Sequence, residues 1–141
     1  MTFPTILAGL TSGCDRGKIF RDAPITDDPY TVPFGQHNLF VDLGAERLLA
    51  AERGTEQIAV EVKSFIGKSG IRDLENALGQ YLLYRSLIER IDAGRDLLLA
   101  VPSRVDIEIL STPVGQVAQE DYGLHILVFD EHERRITRWI K

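Results

Sequence analysis

A chain of 141 residues is long enough to form one domain with a hydrophobic core of its own. Hydrophobic residues make up 44% of it and charged residues 26%, which is typical of globular proteins and excludes a fibrous or disordered chain. A net charge of -5 argues against a protein that coats nucleic acid unaided, although it is compatible with a nuclease that has local basic clusters.

The single cysteine, Cys14, excludes an internal disulfide and favours a reducing compartment. Residues 11–14 weakly resemble a lipoprotein cleavage site, but no Lys or Arg precedes them and the apolar run at residues 6–10 is short for a signal core. Apolar stretches are far shorter than the roughly 20 residues that a membrane helix needs. We therefore expect a cytoplasmic protein that does not cross a membrane.

The N-terminal region shows little periodicity. Glycines and a proline interrupt residues 1–22, where we expect a partly ordered arm or a frayed terminus. Prolines in residues 23–35 predict an extended segment with turns. Residues 23–141 are expected to form one domain.

Three strands are predicted next, at residues 37–43, 47–52 and 57–65. In the third strand Ile58, Val60 and Val62 recur at a period of two, so their side chains share one face. Short connections allow the three strands to form an antiparallel meander.

A long helix and further strands follow. Ser69 is expected to cap a helix that extends to about residue 91, in which apolar residues recur at helical spacing. An apolar run at residues 96–101 predicts a buried strand, followed by short helices at 104–110 and 114–121 and a hairpin of strands 124–129 and 134–140. This order predicts a mixed α/β fold with a single sheet flanked by helices.

Glu61 and Lys63 are the first residues that indicate chemistry. They lie two apart in the third predicted strand, so their side chains leave the same face of the sheet. Both faces of this strand are otherwise apolar, and burying ions is costly unless they are paired or bind a metal. The alternatives are a buried Glu–Lys ion pair and an edge strand with one solvated face.

Asp42 offers a second carboxylate near the end of the first predicted strand. In a meander it approaches Glu61, so that the two carboxylates and a strand carbonyl, that of Val62, can bind one divalent ion. Oxygen ligands of this kind favour Mg²⁺ or Mn²⁺, which activates water and neutralises charge on a phosphate. Lys63 is placed to orient that water or to stabilise the transition state. These groups are the ones that phosphodiester hydrolysis requires.

An Asp followed about twenty residues later by Glu-x-Lys resembles the signature of the PD-(D/E)XK nuclease superfamily. Gln80 and Tyr84, one helical turn apart on the following helix, resemble the Gln-x-x-x-Tyr pair of its RecB-like branch, where the pair supports the site and the DNA. Without the preceding motif, Tyr84 is equally well explained as a core aromatic and Gln80 as a surface residue. The resemblance implies a restriction-endonuclease-like fold, magnesium, and a catalytic set of Asp42, Glu61, Lys63, Gln80 and Tyr84.

A longer set of segments resembles the XisH family. They are residues 40–46, 50–53, 58–65, 77–81 and 100–102 and the closing strand with Trp139. The family is known as fdxN-element excision controlling factors, after a DNA rearrangement in developing cyanobacterial heterocysts. The resemblance covers about residues 24–141 and implies an endonuclease-like fold, a role in programmed DNA excision and a protein partner called XisI. Residues 1–22 do not match the helix with which the family begins, so whether Asp15 or Asp22 supplies an acid there stays open.

An acidic domain needs local basic surface to hold DNA, on its own, as an oligomer or with a partner. We predict DNA contacts from Lys68 and Arg72, near the start of the long helix, and from Arg134, Arg135 and Arg138 on the closing strand. On a regular strand, Arg134 and Arg138 share one face and Arg135 points to the other.

Overall fold

The computed structural model of the chain describes residues 23–31, 33–34, 37–38 and 47–141. The arm at residues 1–22, Asp42 and most of the first predicted strand lie outside these residues. In chain order the elements are β1 (Ile25–Asp27), β2 (Pro33–Phe34), β3 (His37–Asn38), β4 (Arg47–Arg53), β5 (Glu56–Val62), α1 (Gly70–Ile91), β6 (Asp96–Pro102), α2 (Ser103–Val105), a π-helical turn (Asp106–Leu110), α3 (Pro113–Tyr122), β7 (Ile126–Asp130) and β8 (Arg135–Ile140).

One mixed sheet of six strands organises the domain, in the order β1-β4-β5-β6-β7-β8. Its centre, β5-β6-β7, is parallel, whereas the β1–β4, β4–β5 and β7–β8 pairs are antiparallel. Parallel neighbours need crossover connections, which α1 provides between β5 and β6, and α2 to α3 provide between β6 and β7. The predicted mixed α/β fold of a sheet with packed helices is confirmed, and β2 and β3 form a second, two-stranded sheet that the prediction of a single sheet did not include.

Both faces of the sheet are buried. Ala59 and Leu99 belong to the apolar cluster on the face where the described helices pack, and Val60 and Leu98 belong to the cluster on the opposite face. Ile58 and Val62 are also in this second cluster, so the predicted alternation is confirmed. Because β5 lies between β4 and β6 with both faces covered, the edge-strand alternative is excluded.

The helix α1 begins where its sequence signals place it. The Ser69 side chain accepts a hydrogen bond from the Arg72 N–H at 3.2 Å, which caps the first turn. Its buried stripe packs on the sheet, and the hydroxyl of Tyr81 in that stripe donates to the Leu97 carbonyl at 2.9 Å. No helix in the described ranges is both long and apolar enough to pass through a bilayer.

The described start of the first predicted strand does not join the meander. His37 and Asn38 pair with Phe34 and Pro33 in a separate two-stranded sheet, and the second neighbour of β4 is β1. An alternating pattern specifies the faces of a strand but not its partner, which here is a strand from the proline-containing segment. The predicted pairing of residues 37–38 with β4 is therefore wrong.

Two further elements end differently from the prediction. The strand β5 ends at Val62, three residues early, and Phe65 then adopts a left-handed φ of 55° that is incompatible with a strand. The helix predicted at residues 104–110 is divided into α2 and a π-helical turn. The helix α3 matches its prediction closely, with Thr112 as cap and Pro113 in the first turn.

A bulge in β8 changes the faces of its arginines. Asp130 pairs with Arg135 and Val128 pairs with Arg138, with a shift of register between the two pairs. Since residues 128 and 130 of β7 share a face, Arg135 and Arg138 share one too. The prediction that they point to opposite faces is wrong, because one extra residue in a bulge inverts the alternation. Arg134 precedes the strand, with a φ of 55°.

A polar network closes the C-terminal end of α1. The Tyr30 hydroxyl donates to Asp92 Oδ2 at 2.6 Å, and Arg95 Nε donates to the same oxygen at 2.8 Å. Arg95 also donates to the Ile58 carbonyl at 2.9 Å, which attaches the network to β5. The hydrogen bond from Tyr30, followed by that from Arg95, lowers the pKa of Asp92 below its ordinary value of 3.8.

This network predicts a pH-dependent effect of Asp92→Asn. Because the folded-state pKa is depressed, the ionised carboxylate stabilises the fold above the ordinary pKa of 3.8, and this contribution is lost as the pH falls through the folded value. In urea titrations the variant should be less stable than wild type at pH 7, and the gap should narrow at pH values below 3.8. Asp121→Asn, at an exposed position on α3, is the control. An equal difference in stability between the variant and wild type at pH 7 and below pH 3.8 would show that the ionised Asp92 does not stabilise the fold.

Candidate active site

Glu61 and Lys63 lie at the carboxyl end of β5, on the side that α1 covers. Glu61 is fully buried between Leu48 of β4 and Leu99 of β6, which pair with it on the two sides. Lys63 follows the strand directly, and its N–H donates to the Ala100 carbonyl at 3.0 Å, which extends the ladder by one residue. Lys63 as a whole is only 9% exposed. The local alternation thus places a carboxylate and an ammonium in a largely apolar environment on the same side of the sheet.

A cleft of about 200 Å³ opens between the end of β5 and the first turns of α1. Lys63 lines it from the sheet side and Gln80 from the helix, so the structure brings together two residues that the sequence assigned to one site. Tyr84, one turn beyond Gln80, is fully buried in the helix-face core. The other residues that line the cleft are Phe65, Ile66, Gly67, Asp73, Asn76 and Ala77.

The predicted metal ligands are described only in part. Glu61 and Val62 lie at the end of β5, whereas Asp42 lies outside the described residues, so the predicted sharing of one ion by Asp42 and Glu61 stays a prediction. Within residues 23–31 and 47–141 there is no group of three His, Cys, Asp or Glu side chains that is arranged to hold a metal ion. A complete metal site would therefore need a ligand from elsewhere in the chain.

The loop between Lys63 and α1 is held by several hydrogen bonds. Asp73 Oδ2 accepts the Gly67 N–H at 2.9 Å, and a Cβ built on Gly67 would lie 2.4 Å from Asp73 Oδ1. At the start of the loop, the Arg104 guanidinium donates to the carbonyls of Ser64 and Phe65. These bonds fix the backbone that follows Lys63.

Sequence reasoning missed Arg104, Asp73 and Asn76. For Arg104 a signal was available, since it follows the apolar run that ends at Pro102, and ligand-binding residues gather beyond the carboxyl ends of parallel strands. Asp73 and Asn76 precede Gln80 on α1 by seven and four positions, which places them on the same side of the helix.

The predicted DNA-contacting residues fall into two groups. Lys68 and Arg72 are exposed beside the cleft, and no carboxylate of the described residues forms an ion pair with either. On β8, by contrast, Arg135 pairs with Glu133, and Arg138 Nη1 lies 2.8 Å from Asp106 Oδ2. Acidic neighbours therefore partly neutralise the β8 arginines, whereas the two cations near the start of α1 keep their charge available.

A mixed sheet with a parallel centre, with the described helices on one face and a Glu-x-Lys pair at the carboxyl end of a central strand, is consistent with a restriction-endonuclease-like fold. The family model for XisH protein matches residues 21–137, and the chain belongs to the XisH family.

Two solved structures resemble the whole domain. A crystal structure of an XisH family protein from Nostoc punctiforme has 32% sequence identity and a TM-score of 0.79, over 91% of this chain and 97% of the other. The crystal structure of an fdxN element excision controlling factor protein from Anabaena variabilis has 31% identity and a TM-score of 0.79, over 96% and 98%. A comparison with curated proteins found no match.

The close approach at Gly67 predicts opposite effects of two Gly→Ala substitutions. In Gly67→Ala the new methyl group displaces the Asp73 carboxylate and breaks its bond to the loop, which should lower the free energy of unfolding by about 1 kcal/mol. In Gly79→Ala, in the middle of α1, the methyl group meets nothing within 4 Å, so helix propensity should stabilise the protein by about 0.5–1 kcal/mol. Equal effects of both in urea titrations would mean that Asp73 does not hold the loop.

Proposed function

We propose that this protein is a divalent-metal-dependent endonuclease-like factor of the PD-(D/E)XK type that assists the programmed excision of a DNA element. The observation that carries the proposal is that Glu61 and Lys63 are both buried at the carboxyl end of β5. Lys63 lines a cleft that Gln80 also lines. The Anabaena variabilis relative is described as an fdxN element excision controlling factor, which supports the role in excision.

The donor chemistry at the end of β5 fits Mg²⁺ or Mn²⁺. A carboxylate between Leu48 and Leu99 is costly to keep charged, and hard divalent cations prefer carboxylate and carbonyl oxygens. In this proposal Glu61, the Val62 carbonyl and Asp42 hold the ion. When bound, it supplies charge neutralisation for a phosphate and lowers the pKa of a water nucleophile.

The side chains of the cleft would bind and orient the scissile phosphate. The shielded position of the Lys63 ammonium strengthens its attraction to a phosphate oxygen, because the surrounding dielectric is low. Gln80 presents an amide from the helix side, and the buried Tyr84 one turn further supports that part of α1 by packing. Lys68 and Arg72 would hold neighbouring phosphates of the DNA backbone.

The charge distribution favours a second candidate function. Arg135 and Arg138, which the sequence assigned to DNA, form ion pairs with nearby acids, so less basic surface is left for DNA than the sequence suggested. Lys141 is paired with acids as well. The second candidate is a catalytically inactive factor that keeps the nuclease fold and acts through a protein partner such as XisI, or as an oligomer. Such a factor would not need a large basic surface of its own. Metal binding at Glu61 distinguishes the two candidates.

We predict that Glu61→Gln removes most of the stabilisation by metal without unfolding the protein. An ion that binds only the folded state raises the free energy of unfolding by about 2.7 kcal/mol at 100 times its Kd, so wild type should melt at a higher temperature in Mg²⁺ or Mn²⁺. The variant should lose most of this shift and, without metal, should be as stable as wild type or slightly more so, because one buried charge is removed. Lys63→Ala removes the cation beside the acids, so in the absence of metal this variant should be less stable than wild type.

Glu75→Gln, at an exposed position on α1, is the matched control and should keep the full metal shift. No metal-dependent shift in wild type, together with strong destabilisation in Glu61→Gln, would identify Glu61 as a structural ion-pair residue. The inactive candidate would then be the correct one.

The two groups of cations predict different salt dependences of DNA binding. Lys68→Ala and Arg72→Ala should each weaken the binding of duplex DNA and reduce the slope of log K against log salt by about one, because each removes one phosphate contact. Arg135→Ala should change the slope less, since Glu133 already pairs with Arg135. Fluorescence anisotropy at 50–200 mM salt measures these slopes. A larger change for Arg135→Ala than for the α1 variants would place the DNA on β8.

A further inference from the structure

Arg104 connects the segments that follow the three parallel strands. It lies in α2, directly after β6, and its guanidinium donates to the Ser64 carbonyl and, at 3.3 Å, to the Phe65 carbonyl beyond β5. Its Nε lies 3.8 Å from Glu131 Oε1 in the turn after β7. One side chain therefore joins three parts of the chain that are distant in sequence.

The two carbonyls that Arg104 binds lie beyond the end of the β5 ladder. Ser64 is fully buried and Phe65 is 6% exposed, so water cannot easily take the place of the Arg104 N–H donors. A guanidinium has several N–H groups in a rigid plane, which allows it to donate to two successive carbonyls. Arg104 thus anchors the backbone of this segment through two of its carbonyls.

The same contacts stabilise an unfavourable backbone conformation. Phe65 has a φ of 55°, in the left-handed region, which is unfavourable for a residue with a Cβ. The turn at Phe65 takes the chain out of the strand immediately after Lys63 and leads it towards α1. If Phe65 relaxed to an extended conformation, the backbone on the C-terminal side of Lys63 would move.

We propose that Arg104 is a positioning residue, which holds the turn at Ser64 and Phe65 so that the Lys63 ammonium stays shielded and directed into the cleft. The catalytic meaning of this inference rests on the proposed function, whereas the link between Arg104 and Lys63 does not. Glu131 contributes less, because its carboxylate lies 3.8 Å from the Arg104 guanidinium and can only help to orient it.

The test measures how accessible the Lys63 amine is. The purified protein is treated with a low concentration of acetic anhydride, and mass spectrometry compares acetylation at Lys63 with that at Lys68, an exposed lysine of the same loop that serves as the internal reference. In Arg104→Met the Lys63-to-Lys68 ratio should rise about fivefold, as expected when a loop loses about 1 kcal/mol of hydrogen bonding. Arg104→Lys keeps one donor group and should give an intermediate ratio.

Arg138→Met is the matched control, since it removes an arginine and an ion pair at a position that does not contact the loop. Its ratio should equal that of wild type. Thermal melts establish that each variant is folded at the labelling temperature, and Arg104→Lys is the deciding variant if Arg104→Met does not fold. An unchanged ratio in folded Arg104→Met or, if that variant does not fold, in Arg104→Lys would overturn the inference, and so would an equal rise in Arg138→Met.

A second measurement addresses the catalytic meaning. With Mg²⁺ or Mn²⁺ and duplex DNA, Arg104→Met should lower kcat and leave KM nearly unchanged, because Lys68 and Arg72 still hold the DNA. If wild type does not cleave DNA, the proposed function fails and the acetylation ratio still decides whether Arg104 positions Lys63. A loss that appears in KM alone would show that Arg104 contributes to binding instead.

Discussion

The parallel pairing of β5 with β6, and of β6 with β7, is the constraint on which the rest of the structure depends. Parallel neighbours cannot be joined by a tight turn, so each pair requires a crossover, and these crossovers are the helices that cover one face of the sheet. The same pairing brings the carboxyl ends of three strands to one edge. Lys63, Arg104 and Glu131 follow those three ends, which explains why residues so distant in sequence are neighbours.

Burial gives this edge its chemical character. Glu61 and Lys63 occupy positions that an ordinary core would fill with apolar side chains, and little or none of their surface is exposed to water. Charges in such an environment are costly and interact strongly, and the proposed binding of a cation and a phosphate would use this strong interaction. The chain belongs to the XisH family, and a relative is described as an fdxN element excision controlling factor, which is the ground on which the proposed function places nucleic-acid chemistry at this edge.

The loop after β5 shows how the fold supports such a site. Its backbone leaves the ladder after Lys63, and Ser64 and Phe65 are buried there, so side chains from other elements supply hydrogen bonds that strand pairing no longer provides. Asp73 does so from α1 and Arg104 from α2, and each contacts a different part of the loop. The cleft is thereby shaped from two sides by residues that need not touch a substrate themselves.

Local sequence determined much of this protein: the alternation of β5, the Ser69 cap of α1 and the family motif with Glu61, Lys63 and Gln80 all follow from residues close together in the chain. The tertiary structure alone decided which strand pairs with β4, where a bulge inverts the faces of β8, and that Arg104 reaches the loop after β5. The physical reason is the range of the interactions. Periodicity and capping depend on neighbours within a few residues, whereas strand partners and cross-chain hydrogen bonds depend on which distant segments pack together.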